Sequence, residues 1–172
     1  DNLFVLQSLI EIMRSQKKKM FCAFIDFKQA FDTVWRTGLW NKLQRHNING
    51  KCYNLIKSMY KDIKSRIKTH EGMSLFFPCE NGVRQGENLS PLLFSIYLND
   101  LEGYLMKNKA NGINCEVNHK ELYLFLQLFI ILYADDTVIV SENITDLQNN
   151  LNIFQEFCKE WKLKVNTEKT KV

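Results

Sequence analysis

The sequence predicts an α+β protein, a split βαβ arrangement of antiparallel strands with helices packed on one face. Strand-like and helix-like stretches alternate along the chain. Two hairpin signals stand out, at Glu71-Gly72 and at Ala134-Asp135-Asp136, and an amphipathic stripe lies near the end.

Leu3 to Met13 has helical periodicity, and residues 20–27, MFCAFIDF, read as a fully buried strand. Two helices are expected around Gly38–His46 and Lys51–Tyr60. RIKTH-EG-MSLFFPC then reads as two strands joined at Glu71-Gly72. Asn88 or Ser90 suits the cap of a helix running to about Lys107, with Pro91 tolerated in its first turn. The run from Leu122 to Tyr133, LYLFLQLFIILY, reads as an apolar lead-in to a buried strand. It is too short for a membrane helix, which needs roughly 20 residues. Residues 129–140 form the second hairpin. Ile144, Leu147, Leu151, Phe154, Cys158 and Trp161 recur at steps of three and four, an amphipathic helix with Thr145 as the expected N-cap.

Composition sets the frame. The 172 residues suffice for one domain with a buried core, and 45% apolar with 24% charged residues is ordinary globular composition. The net charge of +4 is compatible with nucleic acid without being the signature of a strongly basic module. Basic clusters at Lys17-Lys18-Lys19 and across Lys57–Lys68 read as solvated faces on charge alone. Five cysteines, scattered and without a CxxC pair, argue for reduced thiols, an intracellular setting and no zinc site. Two prolines, seven glycines and no repeat indicate one continuous domain. The start without Met and the end at Val172 suggest a piece of something longer.

The chemistry lies in the acids. Asp135 and Asp136 interrupt ILYADDTVIV, and Asp26 interrupts FCAFIDF. An unpartnered buried carboxylate costs several kcal/mol. Adjacent strands lie about 4.8 Å apart, so two such strands side by side would bring the carboxylates together. Like charges that close repel, and a divalent cation offsets the cost. Hard oxygen donors suit Mg²⁺, and two ions about 4 Å apart stabilise the attacking and leaving oxygens of phosphoryl transfer. The acids are therefore expected to hold metal. Aspartate also tolerates the backbone of a tight hairpin tip.

FIDFKQAFDTV (24–34), GVRQGENLSPLLFSIYLNDL (82–101) and LYADDTVIVSE (132–142), in that order, resemble motifs A, B and C of reverse transcriptases, most closely those of non-LTR (LINE-like) retrotransposons. WKLKVNTEKTKV (161–172) resembles motif D. Tyr133 stands where many LINE-type enzymes carry Phe, as in other reverse transcriptases, including those of group II introns.

The resemblance implies a polymerase palm over residues 20–172, with the split βαβ (ferredoxin-like) sheet predicted above. Residues 1–19 would be the end of a partial fingers region, so that the remaining fingers and the thumb are missing. It implies an RNA-directed DNA polymerase using two Mg²⁺ ions, with Mn²⁺ as substitute. Its partners would be an RNA template, a DNA primer and dNTPs, with no membrane. Asp26 and Asp135 would coordinate the metals, Asp136 would complete the pair, and the Phe27 carbonyl is a further candidate ligand. Phe31 would be the steric gate against the 2′-hydroxyl, although without the motif it reads as core filler. Gln85 would contact the incoming nucleotide or template base beside Gly86. Arg84 would reach phosphate or make a surface salt bridge. Lys169 would steady or protonate the leaving pyrophosphate, or be a solvated lysine. Asp32 reads as a helix cap or local hydrogen-bond acceptor rather than a metal ligand. A dead or RNA-binding relic would share the fold, yet Asp26, Gln85, Asp135 and Asp136 all stand. Phe31 speaks against an RNA-dependent RNA polymerase. The fragment alone is expected to be inactive.

Overall fold

The computed structural model describes residues 2–119, 122–128, 130–133 and 136–172. In chain order its elements are α1 (Asn2–Ser15), β1 (Phe21–Ile25), α2 (Arg36–Arg45), α3 (Gly50–Met59), β2 (Lys64–Ser65), β3 (Lys68–Thr69), β4 (Gly72–Met73) and β5 (Phe77–Pro78). There follow α4 (Ser90–Leu98), α5 (Leu101–Lys107), β6 (Ile113–His119), β7 (Leu122–Leu128), β8 (Ile130–Tyr133), β9 (Asp136–Ser141) and α6 (Ile144–Glu160). The chain forms two compact units, residues 1–30 with 98–172 and residues 31–97. Neither crossing falls at a proline or glycine, so no linker marks them in the sequence.

The first unit is built on an antiparallel sheet in the order β1-β9-β8. β1 pairs with β9 from Phe21 opposite Ser141 to Ile25 opposite Thr137. β8 pairs with β9 from Ile130 opposite Ile139 to Tyr133 opposite Asp136, which is the second expected hairpin. Ala134 and Asp135, two of the three residues assigned to its turn, lie outside the described residues, as do Asp1, Lys120, Glu121 and Phe129. The apolar lead-in is a strand of its own: β7 pairs with β6 from Ile113 opposite Leu128 to His119 opposite Leu122. β6 adds a strand that the hairpin and helix signals do not mark, although Ile113, Cys115 and Val117 alternate with Asn114, Glu116 and Asn118 as a half-buried strand requires.

Side chains alternate across a strand, so Ala23, Ile25, Thr137, Ile139 and Ser141 share one face, and Cys22, Phe24, Val138 and Val140 share the other. α6 covers the first face. Its fully buried Asn150 donates to Ser141 Oγ (2.9 Å) and the Asn111 carbonyl (2.7 Å), and accepts from the Asn111 N–H (3.0 Å). α1 covers the second face, where Leu9 and Met13 meet Ile113 and Val140, with Ile12, Met20, Cys22 and Val138 around them. Helices therefore lie on both faces, not on one as the sequence suggests. The reason is in the strands: both faces of β1 and β9 carry apolar side chains, and each needs cover.

α6 is capped by Asn143 rather than Thr145. Asn143 Oδ1 accepts from the Asp146 N–H (2.8 Å) and its amide donates to Asp146 Oδ2 (2.6 Å), a reciprocal cap that Thr145, two residues later and next to Asp146, could not make. Leu147, Phe154, Cys158 and Trp161 of the stripe are buried, while Ile144 is 67% exposed; Asn150 and Phe157 join the buried set instead. Burial pushes the Cys158 thiol up to about 12, which leaves it unreactive at neutral pH. The helix expected up to Lys107 is broken into α4 and α5 at Asn99-Asp100, residue types that compete with helical hydrogen bonding.

In the second unit β2 pairs with β5, and β3 with β4, giving the long hairpin expected around Glu71-Gly72. Gly72 adopts φ +135°, a conformation open to glycine. The organising side chain is Arg36. It donates through Nε to the Gly82 carbonyl (2.8 Å), through Nη1 to Cys79 (2.6 Å) and through Nη2 to Asn81 (2.9 Å). Its guanidinium carbon lies 5.2 Å from the Tyr60 ring centroid, and burial lowers its pKa. Lys42, 1% exposed, donates Nζ to the Tyr97 carbonyl.

Two stability outcomes follow from these contacts. Asn150→Ala takes the acceptor from the Asn111 N–H and removes the bonds to the Asn111 carbonyl and Ser141 Oγ, which then keep only each other, and should cost about 2 kcal/mol in urea unfolding. Arg36→Met should cost about 2 kcal/mol in the same measurement, and Arg36→Lys should recover little, because one ammonium cannot match a guanidinium fork spanning three carbonyls.

Candidate active site

The β1–β9 register places two acids together. Ile25 ends β1 opposite Thr137, so Asp26, which follows Ile25, and Asp136, which precedes Thr137, stand at the same end of adjacent antiparallel strands. By alternation both belong to the face of Phe24 and Val138. Both line a cavity of about 810 Å³, together with Leu3, Leu6, Ile131 and Lys169. The Asp26 side chain is 32% exposed, and Asp136 is exposed. Asp135 lies outside the described residues. Among the described residues no three His, Cys, Asp or Glu side chains cluster as a metal-binding group. Asp26 and Asp136 nevertheless offer an all-oxygen donor set to one cavity. Two like charges at one strand end fit a hard divalent cation, which offsets their repulsion. Phe27 is buried, its ring centroid 6.0 Å from that of Phe154.

The segment after α6 fixes Asp26 in place. Phe24 and Lys171 exchange backbone hydrogen bonds (2.8 and 2.9 Å), and the Lys28 N–H donates to the Lys164 carbonyl (2.7 Å). Between these, the Asn166 N–H donates to the Asp26 carbonyl (2.8 Å), and the Asp26 N–H to Thr170 Oγ1 (3.4 Å). Residues 164–171 thus run along the free edge of β1 and hold the Asp26 backbone from both sides. This docking brings Lys169 Nζ to 4.0 Å from Asp26 Oδ2. With the lysine 71% exposed, the pair adds about 0–1 kcal/mol, so its significance is positional. Asn166 and Thr170 had no mark in the sequence beyond lying within the stretch that resembles motif D.

The remaining candidates lie in the second unit. Phe31 is half-buried, its ring centroid 5.2 Å from that of Phe94. The Val83 N–H donates to the Phe31 carbonyl (2.7 Å) and the Gly82 N–H to the Val34 carbonyl (2.8 Å). Gly82 has φ +85°, and a Cβ there would lie 2.7 Å from the Asp32 carbonyl oxygen, so only glycine allows this approach. Gly86 has φ +83° with open space around it, so it serves the turn. Gln85 Nε2 is 3.0 Å from both carboxylate oxygens of Asp32, which is thus a local acceptor. Arg84 is committed to Glu87 (2.7 Å) and the Met59 carbonyl (3.0 Å), and its bond to Glu87 raises its pKa. Ser90 Oγ donates to the Arg84 carbonyl (2.5 Å) at the start of α4.

Comparison with known proteins agrees with the motif reading. The family model described as reverse transcriptase (RNA-dependent DNA polymerase) matches residues 2–172. The chain is 28% identical to the RNA-directed DNA polymerase from mobile element jockey of Drosophila melanogaster, over 96% of this chain and 17% of that protein. It is 26% identical to the Pol polyprotein from the type-1 retrotransposable element R2 of Nasonia vitripennis, over 98% of this chain and 16% of that protein. The chain therefore spans about a sixth of the length of these relatives. In fold it is similar to a Candida tropicalis apo telomerase truncated of its C-terminal domain, with TM-score 0.66 and 17% identity, over 99% of this chain and 34% of that one. A sheet that gathers acids at one end, glycine-dependent turns before α4 and a match over nearly every residue converge: the chain belongs to the reverse transcriptase (RNA-dependent DNA polymerase) family, in its non-LTR, LINE-like group.

Proposed function

We propose that this chain is palm-domain sequence of an RNA-directed DNA polymerase of a non-LTR retrotransposon. The reaction is attack of a primer 3′-hydroxyl on the α-phosphate of a dNTP, with an RNA template and with pyrophosphate leaving. The observation that carries the reading is the placement of Asp26 and Asp136 at one end of β1 and β9, lining one cavity, in a chain matched to the family throughout. The setting is intracellular, where the thiols stay reduced and the nucleic-acid substrates are found. Among the described residues no helix is long and apolar enough to cross a membrane.

Asp26, Asp135 and Asp136 hold the divalent ions, Mg²⁺ or its substitute Mn²⁺, with the Phe27 carbonyl as a further oxygen donor. When bound, these ions supply activation of the attacking hydroxyl and neutralisation of the charge on the leaving group. Asp26 is suited to its role because its backbone is held by Asn166 and Thr170 while its side chain faces the cavity. Lys169, 4.0 Å from Asp26, is placed to meet negative charge developing on the leaving pyrophosphate. In the second unit, Phe31 is the gate that excludes a 2′-hydroxyl, and Gln85 with Gly86 contacts the nucleotide or template. Arg84 braces the turn before α4 through Glu87 and Met59, and its part in phosphate binding is the secondary role. The parent supplies the rest of the fingers and the thumb, so the fragment alone is inactive.

Primer extension by the full-length parent tests this reading. Asp26→Asn and Asp135→Asn should each lower dNTP incorporation by about 10²–10³-fold or more, and extension equal to wild type would overturn the assignment. Phe31→Ala should admit ribonucleotides, read as a rise in the NTP to dNTP incorporation ratio with dNTP extension retained; unchanged sugar discrimination would refute the gate.

A further inference from the structure

We infer that Asp32 is a positioning residue for Gln85, locking the glutamine amide in one orientation for its contact with nucleotide or template. The inference rests on the polymerase reading for its functional consequence, whereas the pairing itself stands on geometry within one unit. Gln85 Nε2 lies 3.0 Å from Asp32 Oδ1 and 3.0 Å from Oδ2. An ionised carboxylate only accepts, so the NH₂ end of the amide must face it. The carbonyl oxygen Oε1 is then the end turned away, and among the described residues it has no hydrogen-bond partner. Gln85 therefore presents an acceptor to whatever it meets. A free glutamine would present donor or acceptor by a simple flip of χ3.

The backbone makes the pairing reproducible. The Gly82 N–H to Val34 and Val83 N–H to Phe31 bonds lay residues 82–85 alongside residues 31–34. Gly82 is seated against the Asp32 carbonyl where any Cβ would clash. Arg36 grips the carbonyls of Cys79, Asn81 and Gly82 immediately before this stretch. Two rigid attachments flank the pair, and Phe31, the gate residue, is the direct chain neighbour of Asp32. The acid of the AFD triplet thus links the gate segment to the motif B glutamine without binding metal itself.

The test is a double-mutant cycle in the full-length parent, read as steady-state dNTP kinetics. Asp32→Ala should raise KM for dNTP by about 5- to 10-fold with kcat within about twofold, the mark of lost substrate binding. Gln85→Ala should do the same, and adding Asp32→Ala to it should raise KM no further. KM losses that multiply, or a loss confined to kcat, would overturn the inference. A second measurement does not depend on activity: the Gln85 side-chain NH₂ resonances in an NMR spectrum of this chain, assigned by their loss in Gln85→Ala. Those resonances should shift and exchange faster with water in Asp32→Ala, and unaltered signals would sink the pairing. If the wild-type parent extends no primer, the polymerase reading fails, and the amide signals still decide whether Asp32 holds Gln85.

Discussion

The antiparallel register of β1 on β9 is the constraint from which the candidate site follows. With Ile25 opposite Thr137, Asp26 just beyond the end of β1 and Asp136 at the start of β9 stand at one end and on one face. A slip of one residue would send one acid to the α6 face, on the side of the buried Phe154. Burial of both faces prevents that slip. Ala23, Ile25 and Ile139 are buried on one side, and Val140 is buried with Leu9 and Met13 on the other. Hydrophobic cover on two sides thus serves electrostatics at the strand ends: it fixes where the carboxylates stand, and costs nothing in exposing them.

The edges of the sheet are secured in a second way. β1 would present an open edge, but residues 164–171 occupy it with backbone hydrogen bonds on either side of Asp26. The same docking of the stretch that resembles motif D holds the Asp26 backbone and brings Lys169 to 4.0 Å from its carboxylate. In the other unit Arg36 plays the corresponding part. Three carbonyls of the segment 79–82 converge on one guanidinium, so an irregular stretch without regular secondary structure acquires fixed geometry ahead of Gln85.

Much of this was legible from residue order alone. MFCAFIDF and ILYADDTVIV carried the strands and the acids, and the hairpin at Glu71-Gly72 and the helices α1 to α3 fall close to where periodicity puts them. The misses have identifiable causes. Thr145 and Asn143 are both acceptable cap residues, and only the reciprocal contact with Asp146 separates them. Asn99-Asp100 breaks a helix that apolar spacing alone would carry through. β6 carries a short alternation, Ile113, Cys115 and Val117 against Asn114, Glu116 and Asn118, that was legible and is completed by pairing with β7. Asp32 was recognisable as an acceptor, but its partner lies 53 residues away in sequence.

The sequence by itself determined the family, the identity of the acids, the glycines of the motif B turn and the alternation that gives each strand two apolar faces. These are local properties, written in side-chain chemistry and spacing. Tertiary structure decided which acids share a cavity, that α1 closes the sheet face left open by α6, and that residues 164–171 clamp Asp26. It also decided that Gln85 turns its amide toward Asp32. Each of these depends on contacts between segments far apart in the chain, and pairing of that kind is chosen by the joint burial of surfaces that no single stretch contains.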